Sequence, residues 1–328
     1  MSVEGAALIG CGLIGRRRAE ALERCGVSLK AVHDIDSAAA ARVADAFGGQ
    51  CIVAPTADAA IGVDGVDMVV VATTHAALGS IASTAAESGR HVLVEKPGAH
   101  TLDGVEHLAK VAAECGVVVR VGYNHRFHPS FRKAKTMIES GRYGPLLHIR
   151  ARYGHGGRLG YEQEWRAQRA LSGGGELLDQ GSHLIDLTRH LAGDVELAFS
   201  ELRTEFWDME VEDNAFLALR TAGGGFAWLH ASWSEWKNLF SYEITLRDAK
   251  IEISGLGGSY GPEKLTVFEM GEALGPPDIT SWEWPPNDNS WALEIEDVLA
   301  EIDGRPHVGA RIDDAVATFR IIDEAYAK

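Results

Sequence analysis

Short apolar runs alternate with longer, alanine-rich stretches through the first 122 residues of the chain. The apolar runs show no polar alternation, which is typical of strands buried on both faces of a parallel sheet. They lie at residues 6–9, 29–33, 68–72, 91–94 and 117–121. The stretches between them are long enough for crossover helices and cover residues 14–25, 37–47, 76–88 and 101–114. This pattern predicts a doubly wound parallel sheet with helices on both faces.

The pattern changes after about residue 145, where apolar and polar side chains alternate with a period of two. Tyr242, Ile244 and Leu246, for example, share one face of a predicted strand. This alternation predicts an open, mostly antiparallel sheet. Residues 291–302 and 313–327 return to helical periodicity. Glycine groups at 156–157, 173–175, 223–225 and 257–258 indicate loops and hairpins, and proline pairs at 276–277 and 285–286 indicate an irregular excursion.

We therefore predict two domains, at residues 1–122 and 123–328, with a C-terminal helix that can pack back on the first. The length of 328 residues suits two domains of roughly 150 residues each. The chain has 46% hydrophobic and 24% charged residues, which is typical of globular proteins. Its 31 basic and 47 acidic residues give a net charge of −16, which repels nucleic acid and anionic membranes. We expect neither as a partner.

The cysteines and the apolar runs bear on the cellular compartment. Cys11, Cys25, Cys51 and Cys115 form no Cys-x-x-Cys pair, which favours reduced, packed thiols over disulfides or a zinc knuckle. No run reaches the roughly 18 apolar residues of a membrane span. The chain also opens without the basic and apolar segments of a signal peptide. We expect a cytoplasmic protein.

A glycine motif, Gly10-Cys11-Gly12-Leu13-Ile14-Gly15, follows the first predicted strand and opens the first predicted helix. In that context the first glycine permits a tight turn, the second lets the backbone approach a pyrophosphate, and the third allows close packing of helix on strand. The helix N-terminus then faces the anionic phosphates. The motif predicts a dinucleotide site.

An acidic residue follows the second predicted strand and indicates which dinucleotide binds. Asp34 lies 19 residues after Gly15, where a carboxylate can accept hydrogen bonds from both ribose hydroxyls. A 2′-phosphate would be repelled there, and Ile35-Asp36 offers no arginine to bind it. We predict NAD rather than NADP. The alternative is that Asp34 caps the next helix, but Asp36 or Ser37 suits that role better.

Two further segments carry candidate catalytic groups. Glu95-Lys96-Pro97 places a lysine at the carboxyl end of a predicted parallel strand, where open α/β sheets bind ligands. A glycine-rich loop then leads into a helix on which Asp179 and His183 lie four residues apart, on one face. A carboxylate that orients an imidazole is suited to remove the proton of an alcohol. The alternatives are a solvated surface lysine, a buried structural His–Asp pair, and Asp179 as a simple helix cap.

Together these segments resemble the Gfo/Idh/MocA family of oxidoreductases, named for glucose-fructose oxidoreductase, inositol dehydrogenase and a rhizopine catabolism protein. The family pattern is a Rossmann fingerprint, a Glu-Lys-Pro after the fifth strand and an Asp-x-x-x-His in the second domain. Residues 10–15, 95–97 and 179–183 match these three motifs in order. The family pairs a Rossmann domain with a larger open-sheet domain, so the resemblance covers essentially the whole chain.

The resemblance implies a role for each matching residue. Lys96 would touch the reacting hydroxyl and the nicotinamide side of the cofactor. His183 would be the acid/base, with Asp179 as its partner and a substrate ligand. Asn124, in the segment 122–127, would face nicotinamide and substrate, and Arg166 would reach towards the cofactor. The predicted cofactor site comprises Gly10, Gly12, Leu13, Ile14, Gly15, Asp34, Thr73, His75, Glu95, Lys96, Asn124 and Arg166.

A polar and aromatic stretch after residue 150 suits a sugar site, because aromatic faces stack on sugar C–H surfaces while Arg and His bind hydroxyls or a phosphate. A loop that merely covers the cleft is the alternative. The predicted substrate site comprises Lys96, Asn124, Tyr153, His155, Arg158, Trp165, Asp179 and His183.

Two other groups of residues have alternative interpretations. His125 and His128 resemble a metal pair, but on an extended segment their rings would point to opposite faces, and hydride transfer to NAD needs no metal. We expect no metal. The tryptophans are explained first by core packing, but large aromatics on the free face of an open sheet favour a dimer or tetramer formed through the second domain. They are Trp228, Trp233, Trp236, Trp282, Trp284 and Trp291.

The expected function is an NAD-dependent dehydrogenase that oxidises a secondary hydroxyl of a sugar, sugar derivative or cyclitol. An alternative within the family is a redox-neutral, NAD-using enzyme that cleaves a glycosidic bond through transient oxidation. It would use the same three residues, Lys96, Asp179 and His183. A third class, a cofactor-binding regulator without catalysis, is expected to have lost Lys96 or His183, and both are present.

Overall fold

The computed structural model describes residues 3–47, 50–271, 273 and 275–328. The chain forms two compact units. The first comprises Met1–Asn124, Ala170–Gly173 and Ser290–Phe319, and the second comprises His125–Arg169, Gly174–Asn289 and Arg320–Lys328. These units follow spatial contacts, and the two-domain division at residue 122 stays a prediction from the sequence.

The first unit is built on a six-stranded, wholly parallel sheet, as predicted. Its spatial order, β3-β2-β1-β4-β5-β6, reverses direction between β1 and β4, and ligands of doubly wound sheets bind outside the strands at such a point. The strands are β1 (Gly5–Ile9), β2 (Ser28–His33), β3 (Ile52–Val53), β4 (Met68–Val71), β5 (His91–Glu95) and β6 (Val119–Gly122).

The helices of the Rossmann layer begin and end where local chemistry favours it. Asp36 caps its helix by accepting a hydrogen bond from the Ala38 amide, which confirms the expected cap. Thr101 caps the helix Leu102–Cys115, which is terminated by Gly116 in the left-handed conformation, at φ 66°. The helices are α1 (Leu13–Arg24), α2 (Ser37–Ala46), α3 (Ala57–Ile61), α4 (His75–Glu87) and α5 (Leu102–Cys115).

The pattern of apolar runs missed β3 and α3. The strand has two residues, Ile52 and Val53, and both are exposed, so no buried run marks it. The helix that follows has only five residues and two buried positions. Elements this short carry too little periodicity to be read from the sequence.

The second unit is built on an eight-stranded sheet of order β14-β13-β12-β11-β7-β10-β9-β8. Among the described strands of this second sheet, only the β7–β10 pair is parallel, so the expected mostly antiparallel sheet is confirmed. The strands are β7 (Leu146–Gly154), β8 (Val195–Arg203), β9 (Asn214–Thr221), β10 (Phe226–Ser232), β11 (Leu239–Leu246), β12 (Ala249–Ser254), β13 (Glu263–Glu269) and β14 (Asp278–Trp284).

Tyr242, Ile244 and Leu246 are buried on one face of β11, as their spacing predicts. The expectation of an irregular excursion between the proline pairs is wrong, because a regular strand, β14 (Asp278–Trp284), lies between them. The prolines lie just outside this edge strand and therefore remove no ladder hydrogen bond. The remaining helices are α6 (Pro129–Glu139), α7 (Arg169–Ser172), α8 (Ser182–Ala192), α9 (Ser290–Ile302) and α10 (Ile312–Tyr326).

The cysteines and the tryptophans include both buried and exposed residues. All four cysteines are free; Cys11 and Cys51 are buried, whereas Cys115 is exposed and not packed as expected. Core packing accounts fully for Trp233, which is 0% exposed, but Trp236 is 92% exposed. In the described part of the chain, no helix is both long and apolar enough to span a membrane.

Candidate functional site

The glycine motif forms the turn between β1 and α1, and each glycine meets a different surrounding. Gly10 has φ +96°, and a Cβ there would lie 2.4 Å from the Ala72 carbonyl oxygen. A Cβ on Gly15 would lie 1.9 Å from the Gly10 carbonyl oxygen. A Cβ on Gly12 would meet nothing within 4 Å. Gly10 and Gly15 are therefore required by the protein itself, whereas Gly12 faces open space.

The N-terminus of α1 is prepared for an anion. Gly12 stands at the N-cap and supplies no side-chain hydrogen bond, and the first turn holds no acidic residue. Leu13 is exposed and Ile14 is partly buried, so the amides of the first turn are not covered by a capping group. Uncapped amides and the helix dipole suit the pyrophosphate of a dinucleotide. These residues fit the predicted cofactor.

Asp34 lies beside this turn, directly after β2. One carboxylate oxygen accepts a hydrogen bond from the Cys11 amide at 2.6 Å, and the other accepts one from the Asp36 amide at 2.8 Å. Both bonds fix the carboxylate next to the glycine turn and leave further lone pairs for ribose hydroxyls. The cap of α2 is Asp36, so Asp34 is not needed for that role.

Thr73 and His75 follow β4, across the switch point from the glycine turn. The hydroxyl of Thr73 donates to the Thr74 carbonyl at 3.2 Å. His75 is 4% exposed, and its Nδ1 donates to the Ser172 carbonyl at 2.8 Å. The returning segment 170–173 thus contacts the start of α4. The cofactor roles of Thr73 and His75 stay predictions.

A buried charge network holds the residue that precedes Lys96. Glu95 accepts hydrogen bonds from Arg18 of α1 at 2.6 Å, and Arg18 also donates to Glu294 of α9 at 2.5 Å. Arg18 is 0% exposed and lies 4.5 Å above the Trp291 ring. Burial and the charge of Glu95 raise the pKa of Glu294 to about 7. The turn that carries Lys96 is therefore fixed to the glycine-motif helix by a guanidinium.

Helix α9 uses one face for further polar contacts with the same sheet. Ser290 accepts a hydrogen bond from the Asn124 side-chain amide at 2.8 Å. Farther along the helix, Asp297 and Glu301 both accept from Arg120 of β6 at 2.5 Å. Asn124, a predicted cofactor and substrate ligand, is 4% exposed and thus has a fixed side chain.

In the second unit, Asp179 lies on a π-helical segment, Leu177–Gly181, that runs into α8. Asp179 therefore stands in a π-turn rather than in a regular α-helix, and its placement on one face with His183 stays a prediction. Asp179 accepts a hydrogen bond from Arg166 Nε at 2.9 Å. Arg166 in turn lies 4.4 Å above the Trp165 ring. Arg166, predicted to reach the cofactor, fixes a predicted catalytic carboxylate.

His183 is buried and stacks on a second imidazole. Its ring centroid lies 3.9 Å from that of His125, with 17° between the planes. The next residue, Arg126, forms a bidentate pair with Asp186, with contacts of 2.8 and 2.5 Å. The stack and the ion pair fasten the segment after β6 to the first turn of α8.

We expected His125 and His128 on an extended segment that would send their rings to opposite faces, and that expectation is wrong. Residues Asn124–Phe127 form a 3-10 turn, and the two rings meet edge to face at 5.5 Å. His128 Nδ1 instead lies 2.9 Å from Glu263. Among the residues that the structure describes, no group of three or more His, Cys, Asp or Glu is arranged to hold a metal ion.

The aromatic stretch holds a buried position at Tyr153, a partly buried one at His155 and an exposed one at Arg158. Tyr153 is buried, and its hydroxyl lies 3.1 Å from His125 Nε2. His155 accepts a hydrogen bond at Nδ1 from the Gly157 amide at 2.9 Å, and burial lowers its pKa. Neutral His155 therefore carries its proton on Nε2, as a fixed donor. Arg158 is exposed and pairs with Glu164 at 2.7 Å.

Two models of one oxidoreductase family match this chain. The model described as an oxidoreductase family with an NAD-binding Rossmann fold matches residues 5–123. The model of the GFO/IDH/MocA C-terminal domain matches residues 131–260. The chain belongs to the Gfo/Idh/MocA family. It is an NAD-binding oxidoreductase with the Rossmann sheet and the open sheet described above.

Several Gfo/Idh/MocA relatives are similar over different lengths. Levoglucosan dehydrogenase of Pseudarthrobacter phenanthrenivorans is 30% identical over 162 residues, which is 49% of this chain and 42% of the relative. Inositol 2-dehydrogenase of Rhizobium meliloti is 25% identical over 330 residues, which is 97% of this chain and 94% of the relative. The solved structure of GenD2 from gentamicin A biosynthesis, in complex with NAD, is 27% identical with a TM-score of 0.81, and covers 100% of this chain and 94% of that chain.

The Gfo/Idh/MocA motifs did not reveal two residues that organise the second unit. The sequence around His125 indicates only a metal ligand, and its position next to Asn124 is the one signal for another role. Glu212 carries no motif, yet its carboxylate accepts hydrogen bonds from the amides of Gly175 and Leu177 and from the Tyr326 hydroxyl, at 2.7 to 3.1 Å. It fixes the glycine-rich loop before Asp179, and only the tertiary structure brings these groups together.

Proposed function

We propose that this chain oxidises a secondary hydroxyl of a sugar, sugar derivative or cyclitol with NAD. The observation that carries the proposal is the setting of His183, an imidazole that is 5% exposed, stacked on a second ring and located on the same segment as the fixed carboxylate Asp179. A buried, oriented imidazole is the group that removes an alcohol proton near neutral pH.

Bound NAD supplies the acceptor for the hydride that leaves the same carbon. Gly10, Gly12 and Gly15 would hold its pyrophosphate at the start of α1, and Asp34 its ribose. His183 takes the hydroxyl proton as the carbonyl forms. Lys96 stabilises the developing alkoxide by its charge. Asp179, fixed by Arg166, stabilises the imidazolium and binds substrate.

The names of the relatives support the substrate class. Levoglucosan is an anhydrosugar and inositol is a cyclitol, and both names denote dehydrogenases. The second unit offers matching chemistry, since the Nε2–H of His155 is a fixed donor for a hydroxyl oxygen. Trp165, which is partly buried under the Arg166 guanidinium, adds an aromatic ring to this unit.

The test is nicotinamide absorbance at 340 nm, with purified protein and NAD, across sugars, cyclitols, sugar acids, nucleotide sugars and glycosides. We expect His183→Ala to lower turnover by roughly 10²- to 10⁴-fold, the range for loss of a general base, with NAD affinity retained. His148→Ala is the matched control, because His148 is an exposed histidine on β7. Unchanged turnover in His183→Ala would remove this residue from the mechanism, and glycoside cleavage without NADH accumulation would favour the redox-neutral reaction.

We also propose that the chain forms a homo-oligomer through the exposed face of the second sheet. Phe199 of β8 and Trp228 of β10 stack with their ring centroids 6.2 Å apart. They are 45% and 41% exposed, and Phe226, also on β10, is 40% exposed. Neighbouring exposed aromatics are typical of an interface. Sedimentation velocity should show a dimer or larger species that Trp228→Glu dissociates, and a monomer at all concentrations would refute the proposal.

A further inference from the structure

The ring of His125 packs against one face of the ring of His183, the predicted base. The two imidazoles lie 3.9 Å apart with 17° between their planes, so His125 covers one side of the His183 ring. Both residues are buried, with His125 8% and His183 5% exposed. They come from two separate elements, the turn Asn124–Phe127 and α8, so the stack is a tertiary contact rather than a consequence of sequence spacing.

The plane of His125 is itself fixed by its surroundings. Its Nε2 lies 3.1 Å from the Tyr153 hydroxyl, which opposes rotation of the ring. The edge-to-face contact with His128 at 5.5 Å and the ring of Phe240 at 6.3 Å enclose it further. His125 is therefore a rigid surface rather than a mobile neighbour.

An adjacent ion pair fixes the register of the two elements. Arg126, next to His125, binds Asp186, which follows His183 by three residues on α8. Both side chains are buried, at 4% and 1% exposed. Because a bidentate guanidinium–carboxylate pair has a defined geometry, the two rings cannot slide past one another without breaking it.

We propose that His125 is a positioning residue for His183, a role that rests on the proposed function of His183 as the base. The flat ring beneath His183 limits rotation of its side chain and covers the face of its ring rather than the edge that carries the nitrogen atoms. A planar ring at position 125 is the requirement, and the nitrogen atoms of His125 only fix that plane through Tyr153. A misplacement of about 1 Å can cost about 100-fold in rate.

Two substitutions separate a planar surface from mere bulk. Phenylalanine keeps a flat ring at position 125, whereas leucine keeps apolar volume without one. We expect His125→Leu to lower kcat by about 10- to 100-fold, with KM within about threefold and NAD affinity unchanged. His125→Phe should retain kcat within about fivefold of wild type. Equal kcat in His125→Leu and wild type, or an equal loss in both variants, would overturn the proposal.

A measurement without substrate distinguishes this proposal from the proposed function. In ¹H–¹³C spectra of the imidazole groups, the stack should shift the His183 ring signals upfield; His183→Ala assigns them, and the exposed His148 is the reference. The upfield shift should persist in His125→Phe and vanish in His125→Leu. Its absence in wild type overturns the positioning role. Its presence together with full turnover in His183→Ala overturns the role of His183 as base, and with it the catalytic purpose of the stack.

Discussion

Replacing Glu294 by glutamine tests the buried charge network that holds the turn before Lys96. Glu294 is 1% exposed and accepts a hydrogen bond from Arg18, which also binds Glu95. Burial, together with the charge of Glu95, raises the pKa of Glu294 from 4.5 to about 7, although Arg18 acts in the opposite direction. Glutamine keeps the shape of the side chain and cannot ionise.

The direction of the pH dependence of stability follows from which state, folded or unfolded, binds the Glu294 proton more tightly. Because the folded-state pKa lies above the unfolded value, the folded protein binds this proton more strongly, and stability falls as pH rises from 4.5 through about 7. At about 1.36 kcal/mol per pH unit, the full loss is about 3 kcal/mol. Glu294→Gln escapes this loss, so its free energy of unfolding relative to wild type should rise by about 2 to 3 kcal/mol between pH 5 and pH 8.5.

Urea unfolding followed by circular dichroism at several pH values between 5 and 8.5 measures this difference. Glu296→Gln is the matched control, because Glu296 is exposed on the same helix; we expect its effect to stay within about 0.5 kcal/mol. A difference between Glu294→Gln and wild type that does not change with pH, or that falls as pH rises, would refute the reasoning.

Further predictions concern the cofactor turn and His155. Gly12→Ala should leave the free energy of unfolding within about 1 kcal/mol of wild type, because a Cβ there meets only open space in the protein. The same Cβ would stand where the pyrophosphate approaches the backbone, so NAD binding measured by calorimetry should weaken at least about tenfold. Gly15→Ala should instead destabilise the fold in urea, since its Cβ would lie 1.9 Å from a carbonyl oxygen; equal stability of the two variants would contradict this. Asp34→Asn should reduce the preference for NAD over NADP about tenfold, whereas Asp36→Asn should leave the preference unchanged and affect only the cap of α2. For His155, ¹⁵N spectra should show the Nε2–H tautomer and a pKa below 6.5, and a protonated Nδ1 at neutral pH would disprove the assignment.

The fold could be predicted where periodicity is strong and local. The buried strands around Val69 and Leu93 and the alternating strand around Ile244 carry their period in the sequence itself. The strand Asp278–Trp284 could not be recognised, because flanking prolines indicate a break but do not say that a short edge strand lies between them. Likewise, regular helical spacing was assumed for Asp179, and a π-turn is not encoded by any simple pattern.

In the candidate site, too, some features could be predicted from local sequence and others depend on tertiary contacts. The sequence alone determined the glycine turn, the carboxylate of Asp34 and the family motifs, because these act through backbone conformation and short spacings along the chain. Tertiary structure alone decided that Arg18 fixes Glu95, that Arg166 fixes Asp179 and that His125 stacks on His183. These partners are separated by 77, 13 and 58 residues along the chain. A buried charge or ring needs a partner to offset its desolvation, but the sequence does not say which distant residue the fold will bring to it.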